Sequence, residues 1–209
     1  MNHSSAPLRT PAIVFDFGGV LIDWNPRHLY RQLFDGDLAA VEQFLTRIDF
    51  TTWNLQQDRG RLFAIAVADL CAQFPEDAEF IRAYDERYEE SIRGPIEHTV
   101  HLLQTLKQAG YPLYGLSNWP QEKFDIVRPK YDFFGWFDDI VISGEVKLAK
   151  PDPRIYTLLL ERIGRRAEDC LFIDDSPANI RAADQLGFQT IHYESPEQLE
   201  SALRQLRLW

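Results

Sequence analysis

The chain has 209 residues, 45% of them hydrophobic and 13% aromatic, enough for one buried core with a modest insertion or for two small domains. No apolar run approaches the roughly 20 residues that span a bilayer, and a formal net charge of −10 with no basic cluster argues against nucleic acid and anionic membranes as partners. The two cysteines, Cys71 and Cys170, lie far apart in apolar segments, which argues against a disulfide framework and fits a reducing, cytoplasmic setting.

The first eleven residues, MNHSSAPLRTP, are polar, have no apolar signal core and are expected to form a short tail. The first strand-like run, Ile13-Val14-Phe15, ends abruptly in Asp16. Residues 26 to about 93 then read as helices, in the stretches PRHLYRQLF, DLAAVEQFLTRI, RLFAIAVADLCAQF and AEFIRAYDERYEESI, with no strand pattern among them. Turn-like residues bound this region, Asp23-Trp24-Asn25-Pro26 before it and Arg93-Gly94-Pro95 after it.

Strand and helix alternate from there on. Strand-like runs fall at 111–116, 138–143, 170–174 and 189–193, and helical patterns at 97–109, 120–131, 153–163, 177–186 and 196–206. Short runs that are apolar throughout suit parallel strands buried on both faces. Gly110, Gly164 and Gly187 stand where helices should end. Asn25-Pro26, Asp152-Pro153, Ser176-Pro177 and Ser195-Pro196 stand where helices should begin, a cap followed by proline at the first helical position. The expected fold is α/β: a doubly wound, Rossmann-like parallel sheet over residues 11–23 and 95–209, with an all-helical cap, 24–94, inserted after strand one.

In an open parallel sheet, ligands bind beyond the carboxyl ends of the strands. Asp16 ends the first strand, Ser117-Asn118 follow the second, Lys147 and Lys150 follow the third, and Asp174-Asp175 end the fourth. Three close carboxylates cannot all ionise unaided. A hard divalent cation resolves the conflict, and Mg²⁺ is the ordinary choice. A lysine suits phosphate as a point charge, and a serine with backbone N–H groups completes a phosphate cradle.

These four loops resemble, in order, the four motifs of the haloacid dehalogenase superfamily: FDFGGV, LSN, LAKPDPRIY and FIDDSPANI. The likeness covers nearly the whole chain and runs closest to small sugar-phosphate phosphatases with a helical cap, including the glucose-1-phosphate phosphatase type. The cap stretch WNLQQDRGRL shares it. The resemblance implies that Asp16 attacks phosphorus to form an aspartyl-phosphate and also ligates Mg²⁺. It implies that the Gly18 carbonyl, Asp175 and Asp174 complete the metal ligands, with Asp174 open to a supporting role. Ser117 and Asn118 would hold phosphoryl oxygens, Lys150 would offset charge, and Asn179 would orient the fourth loop. A small phosphorylated metabolite is the expected partner, to a monomer or homodimer.

One departure stands out. The resemblance calls for an Asp two residues after the nucleophile as general acid and base, and this chain has Gly18. Such catalysis is typically worth about 10²–10⁴-fold. Either the leaving group departs with little help, or a group from the cap or a water replaces the acid, or no acid is needed. A metal-independent 2-haloacid dehalogenase is one alternative, since halide leaves unprotonated, and a non-catalytic phospho-ligand binder is another. Trp24, Trp119 and Arg59 are the candidate substrate-binding residues, with Trp53 and Gln57 also considered for the cap lining. Trp53 is equally at home in the cap core, Arg59 at the surface. Asp23 is expected to orient the linker, Lys147 to be solvated, and Trp136 and Trp209 to pack.

Overall fold

The computed structural model describes residues 10–208. The expected N-terminal tail, apart from its last two residues, and Trp209 lie outside them. Seven strands are present among the described residues: β1 (Ala12–Phe15), β2 (Ile22–Trp24), β3 (Ile92–Pro95), β4 (Leu113–Ser117), β5 (Asp139–Ile142), β6 (Cys170–Asp174) and β7 (Gln189–His192). Five of them form one parallel sheet in the order β5-β4-β1-β6-β7. β1 is central, with every side chain fully buried. Its alternate residues serve two different cores, as the period of two requires. Ile13 and Phe15 face one hydrophobic cluster, Ala12 and Val14 the other.

Eleven helices lie among the described residues. Five come between β2 and β3: α1 (Pro26–Leu33), α2 (Leu38–Arg47), α3 (Phe50–Asp58), α4 (Phe63–Gln73) and α5 (Ala78–Glu86). Six follow β3: α6 (Glu97–Gln108), α7 (Gln121–Val127), α8 (Ser143–Val146), α9 (Pro153–Ile163), α10 (Pro177–Gln185) and α11 (Pro196–Gln205). Leu102, Leu106, Leu199 and Leu203 of α6 and α11 cover the Phe15 face, and Tyr156, Leu159 and Ala183 of α9 and α10 cover the Val14 face. Burying one such Leu or Phe is worth about 1.5–3 kcal/mol.

The local punctuation acts as the residue types dictate. Asn25, Asp152 and Ser195 accept hydrogen bonds from the N–H groups of Arg27, Arg154 and Gln198. Ser176 has the extended backbone of a cap, but its side chain makes no capping bond. Gly110, Gly164 and Gly187 follow their helices with φ of +83°, +62° and +90°. The helix expected over 120–131 stops at Val127 and tightens into a 3₁₀ turn over Arg128–Lys130. Pro129 has no N–H with which to continue the α pattern.

Two expectations for the inserted region need correction. Its borders are not turns: β2 and β3 pair antiparallel, Ile22 with Pro95 and Asp23 with Gly94, so the two linkers form a ribbon, with a register irregularity at Asp23/Trp24. Each strand is too short to show alternation, and its partner lies some seventy residues away. Asp23 also pairs with the His28 ring at 2.8 Å. The second correction is α3, which the hydropathy pattern did not single out as a helix of its own. Its buried face carries Asn54, Gln57 and Asp58 beside Phe50 and Trp53, so polarity and burial do not alternate together.

The cap helices pack around aromatic rings, with Tyr30–Phe44 centroids 4.8 Å apart and Phe50–Tyr84 4.9 Å apart. Trp53 belongs to this core, and its indole N–H donates to the Ala66 carbonyl. Two neighbouring residues of α7 hold the cap down. Lys123 Nζ donates to the Asp85 backbone carbonyl at 2.8 Å and stands 4.4 Å from the centre of the Phe63 ring. The Phe63 N–H donates to Glu122 Oε2 at 3.0 Å. Trp136 packs against the core edge, and Cys71 and Cys170 are separate free thiols. No helix among the described residues is long and apolar enough to cross a membrane.

Candidate active site

β4, β1 and β6 are adjacent in the sheet, and the chain crosses over in opposite directions from β1. Such a switch point opens a crevice at the carboxyl edge. Asp16 emerges there from β1, Ser117 from β4 and Asp174 from β6. The turn after Asp16 is fixed by Phe17, whose ring lies across β4. A Cβ on Gly115 would stand 2.3 Å from that ring, so only glycine permits the crossing. Phe17 also donates its N–H to Asp16 Oδ1 at 2.7 Å.

Lys150 joins the strands' contributions. Its Nζ lies 2.9 Å from Asp16 Oδ1, 2.6 Å from Asp174 Oδ2 and 2.8 Å from the Leu116 carbonyl, and the residue is 2% exposed. Burial opposes the lysine's charge, yet Asp16 and Asp174 together hold its pKa above the ordinary value. Asn118 braces the loop that carries it: the amide donates to the Lys150 carbonyl at 2.9 Å and accepts from the Lys150 N–H at 2.8 Å. The Asn118 side chain therefore faces Lys150's backbone with both ends of its amide.

Asp174 is fully buried and accepts from Lys150, from the Ser176 N–H at 2.8 Å and from Asn179 at 3.0 and 3.1 Å. Asn179 thus ties the start of α10 to the end of β6. Asp175 is the exposed member of the pair. One carboxylate oxygen from each of Asp16, Asp174 and Asp175 lies within 4.8 Å of the others. Asp175 packs so closely on Gly19 that a Cβ there would come 2.4 Å from its Oδ2, and Gly19 also has φ +76°. The second glycine of the pair is thus required sterically, whereas nothing lies within 4 Å of a Cβ built on Gly18.

The electrostatics are unbalanced. Burial first, then Asp174 and Asp175, push the Asp16 carboxyl up to about 7 against the pull of Lys150. Burial and Asp174 likewise raise Asp175. Three carboxylates stand around one ammonium that pairs with only two of them, Asp16 and Asp174, and every donor in the cluster is a hard oxygen. That set fits a small divalent cation.

Two cavities meet here. A smaller one of about 260 Å³ holds Asp16, Gly18, Ser117, Trp119 and Asp175. A larger one of about 730 Å³ runs between cap and core, past Leu45, Phe50, Leu55, Lys150 and Pro151. Trp24, Asn54, Asp58 and Asn118 line both. The indole N–H groups of Trp24 and Trp119 are buried without a hydrogen bond. The Tyr84 and Tyr88 hydroxyls are the groups they approach, Trp24 beside both and Trp119 beside Tyr88, without reaching hydrogen-bond geometry. Arg59 is exposed at the end of α3 and lines neither cavity; its charge acts on Asp152 instead. Lys147 is exposed, and Gln57 is buried with its amide N–H donating to the Trp53 carbonyl.

Asn54, Asp58 and Gly19 also border this site, none of them among the expected site residues. Asp58 carried a faint signal, an acid at a helix C-terminus, where the dipole disfavours negative charge.

A family model for haloacid dehalogenase-like hydrolases matches residues 10–187. The chain is 29% identical over 200 residues to the sesquiterpene phosphatase astK of Aspergillus oryzae, covering 93% of this chain and 95% of that one. It is 25% identical over 193 residues to a D-ribitol-5-phosphate phosphatase of Bacteroides thetaiotaomicron, covering 88% and 91%. Among solved structures, a wild-type enzyme of the same bacterium in complex with magnesium and inorganic phosphate superposes with TM-score 0.67 at 26% identity, over 88% of this chain and 94% of that one.

Proposed function

We propose, from the premise that this chain belongs to the haloacid dehalogenase-like hydrolases, that it is a phosphatase hydrolysing small phosphomonoesters through a phosphorylated Asp16. The convergence of Asp16, Asp174, Asp175 and Lys150 at one sheet edge carries the reading. Asp16 and Asp175 face the smaller cavity and, with the Gly18 carbonyl, would hold Mg²⁺. Asp174 stands behind them and anchors Lys150. The cation would neutralise the carboxylates and draw charge from the phosphoryl oxygens. Ser117 would hold one of those oxygens, and Lys150 would steady the charge that builds as Asp16 attacks. The 24–94 insertion would act as a cap that closes over the site, flexing at the β2–β3 ribbon.

The larger cavity selects the organic group. A sugar phosphate is supported by the two unsatisfied indole donors and by Asn54, which offer partners for hydroxyls. A terpenoid or alkyl phosphate is the second reading, favoured by the apolar wall of Leu45, Phe50 and Leu55. A panel of sugar phosphates and alkyl or terpenyl monophosphates, assayed with Mg²⁺ and with EDTA, tests both. Phosphate release that needs Mg²⁺ is expected, with the preferred ester identifying the class. Chloride release from 2-haloacids without metal, and no phosphate release, would replace the proposal by a dehalogenase.

Metal binding should also appear in stability. Asp16's folded pKa is raised, so the native state binds more protons than the unfolded state between the two pKa values. Stability contributed by this group is therefore greatest at low pH and falls as pH rises from about 4 to about 7. A divalent cation competes with those protons, so its benefit grows over the same window. The Mg²⁺-induced rise in Tm is expected to be roughly 5–10 °C at pH 8 with the cation at 100 times its Kd, and much smaller at pH 5. An equal rise at both pH values would count against the assigned ligands.

A further inference from the structure

We propose that Asp58, delivered from the cap, is the general acid and base of the reaction, taking the place left open at Gly18. This rests on the phosphatase reading. Asp58 ends α3 and is 8% exposed. It stands where the two cavities meet, sharing the smaller one with Asp16 and Gly18 and the larger one with the organic group's wall. A phosphoryl group on Asp16 and a leaving group in the larger cavity place the breaking P–O bond at that junction.

Among the described residues, one weak buried contact is all that holds the carboxyl in place. Asp58 accepts one long hydrogen bond, 3.3 Å from Asn54, whose own oxygen accepts from Tyr84. Among the described residues no cation forms an ion pair with it, although Lys150 acts on it from a distance. A helix C-terminus is an unfavourable place for a carboxylate. Burial first, and the Asp16 charge second, push its pKa up to about 7, so the group holds its proton near neutrality and releases it readily. That poise is what acid–base catalysis requires. Position 18 itself offers no side chain to do this work, and nothing lies within 4 Å of a Cβ built there.

The proton balance is complete. As an Asp16 oxygen bonds to phosphorus, the P–O bond to the organic group breaks and the Asp58 proton passes to the departing oxygen, giving a neutral alcohol. The Asp58 carboxylate then takes a proton from water as that water's oxygen bonds to phosphorus. The Asp16–phosphorus bond breaks, phosphate leaves, and Asp58 is again protonated.

Asp58→Asn, isosteric and uncharged, provides the test on the full chain. Turnover of an alkyl phosphate should fall about 10²–10³-fold. With p-nitrophenyl phosphate, whose leaving group needs no proton, the first equivalent of nitrophenol should appear nearly as fast as in wild type. Phosphorylated protein should then accumulate, visible by mass spectrometry after acid quench. Adding Gly18→Asp to Asp58→Asn should recover at least tenfold of the lost alkyl-phosphate turnover. Equal losses with both esters and no phosphoprotein, or alkyl turnover within threefold of wild type, would overturn the inference while wild-type hydrolysis upholds the phosphatase reading. Wild type inert toward every ester, with no phosphoprotein, would overturn both.

Discussion

Asp16→Asn is expected to reduce phosphate release by on the order of 10⁴–10⁶-fold while leaving the protein at least as stable as wild type. The two halves of this expectation come from the same geometry. The carboxylate oxygen is the proposed nucleophile, and an amide oxygen in its place cannot form a lasting bond to phosphorus. Yet the charge itself is a liability for the fold. It is buried with Asp174 and Asp175 nearby, and one ammonium is shared between Asp16 and Asp174. Removing it relieves that repulsion, keeps an acceptor for the Phe17 N–H and leaves Lys150 paired with Asp174. At pH 8 without divalent cation the variant's Tm should equal or exceed that of wild type. Above neutral pH the difference is fullest, because there the wild-type carboxyl is ionised in both folded and unfolded states. Retention of turnover in this variant would remove Asp16 as the nucleophile. A large fall in Tm would show that its charge stabilises the fold.

Lys150→Met is expected to do the reverse, costing both activity and stability. Lys150 is the ammonium that ties β1, β4 and β6 together at their carboxyl ends. Methionine matches its length but leaves the fully buried Asp174 with only the Ser176 N–H and Asn179 as partners. Breaking a buried ion pair from one side costs about 3–5 kcal/mol, a fall in Tm of roughly 6–20 °C for a chain of this size. The deficit should shrink on acidification. Without the lysine, Asp16 rises further, the native state takes up more protons than the unfolded state, and stability is regained as pH falls. Thermal melts of both proteins at pH 5 and pH 8 measure this directly. A deficit independent of pH would place the loss in packing and not in charge.

Much of the scaffold was legible because its signals are local. All five strands of the main sheet appear where short apolar runs stood, and the glycines and Asx-Pro or Ser-Pro pairs mark helix ends within a residue or two. Asp16, Ser117, Lys150, Asp174 and Asp175 could be named because each ends a strand, directly follows one or sits in the loop after one, and parallel strands end on one edge. What failed was non-local or polar. The β2–β3 ribbon is held by a partner distant in sequence. α3 hid because the face it buries is lined with Asn54, Gln57 and Asp58. Arg59, expected to bind substrate, is exposed and lines neither cavity, while its neighbour Asp58 lines both.

The order of strands and helices, the inserted helical segment and the acidic residues of the sheet edge all follow from local signals along the chain. Period, caps and turn residues act over a few positions and need no knowledge of the rest of the chain. How those acids differ is settled by packing. Asp174 became an anchor for Lys150 and Asp175 the face toward the cavity. The Asn118 side chain was turned to the Lys150 backbone, and Asp58 of α3 was brought to a cavity it shares with Asp16 and Gly18. Burial and the field of neighbouring charges set those roles, and both depend on which distant segments are packed together.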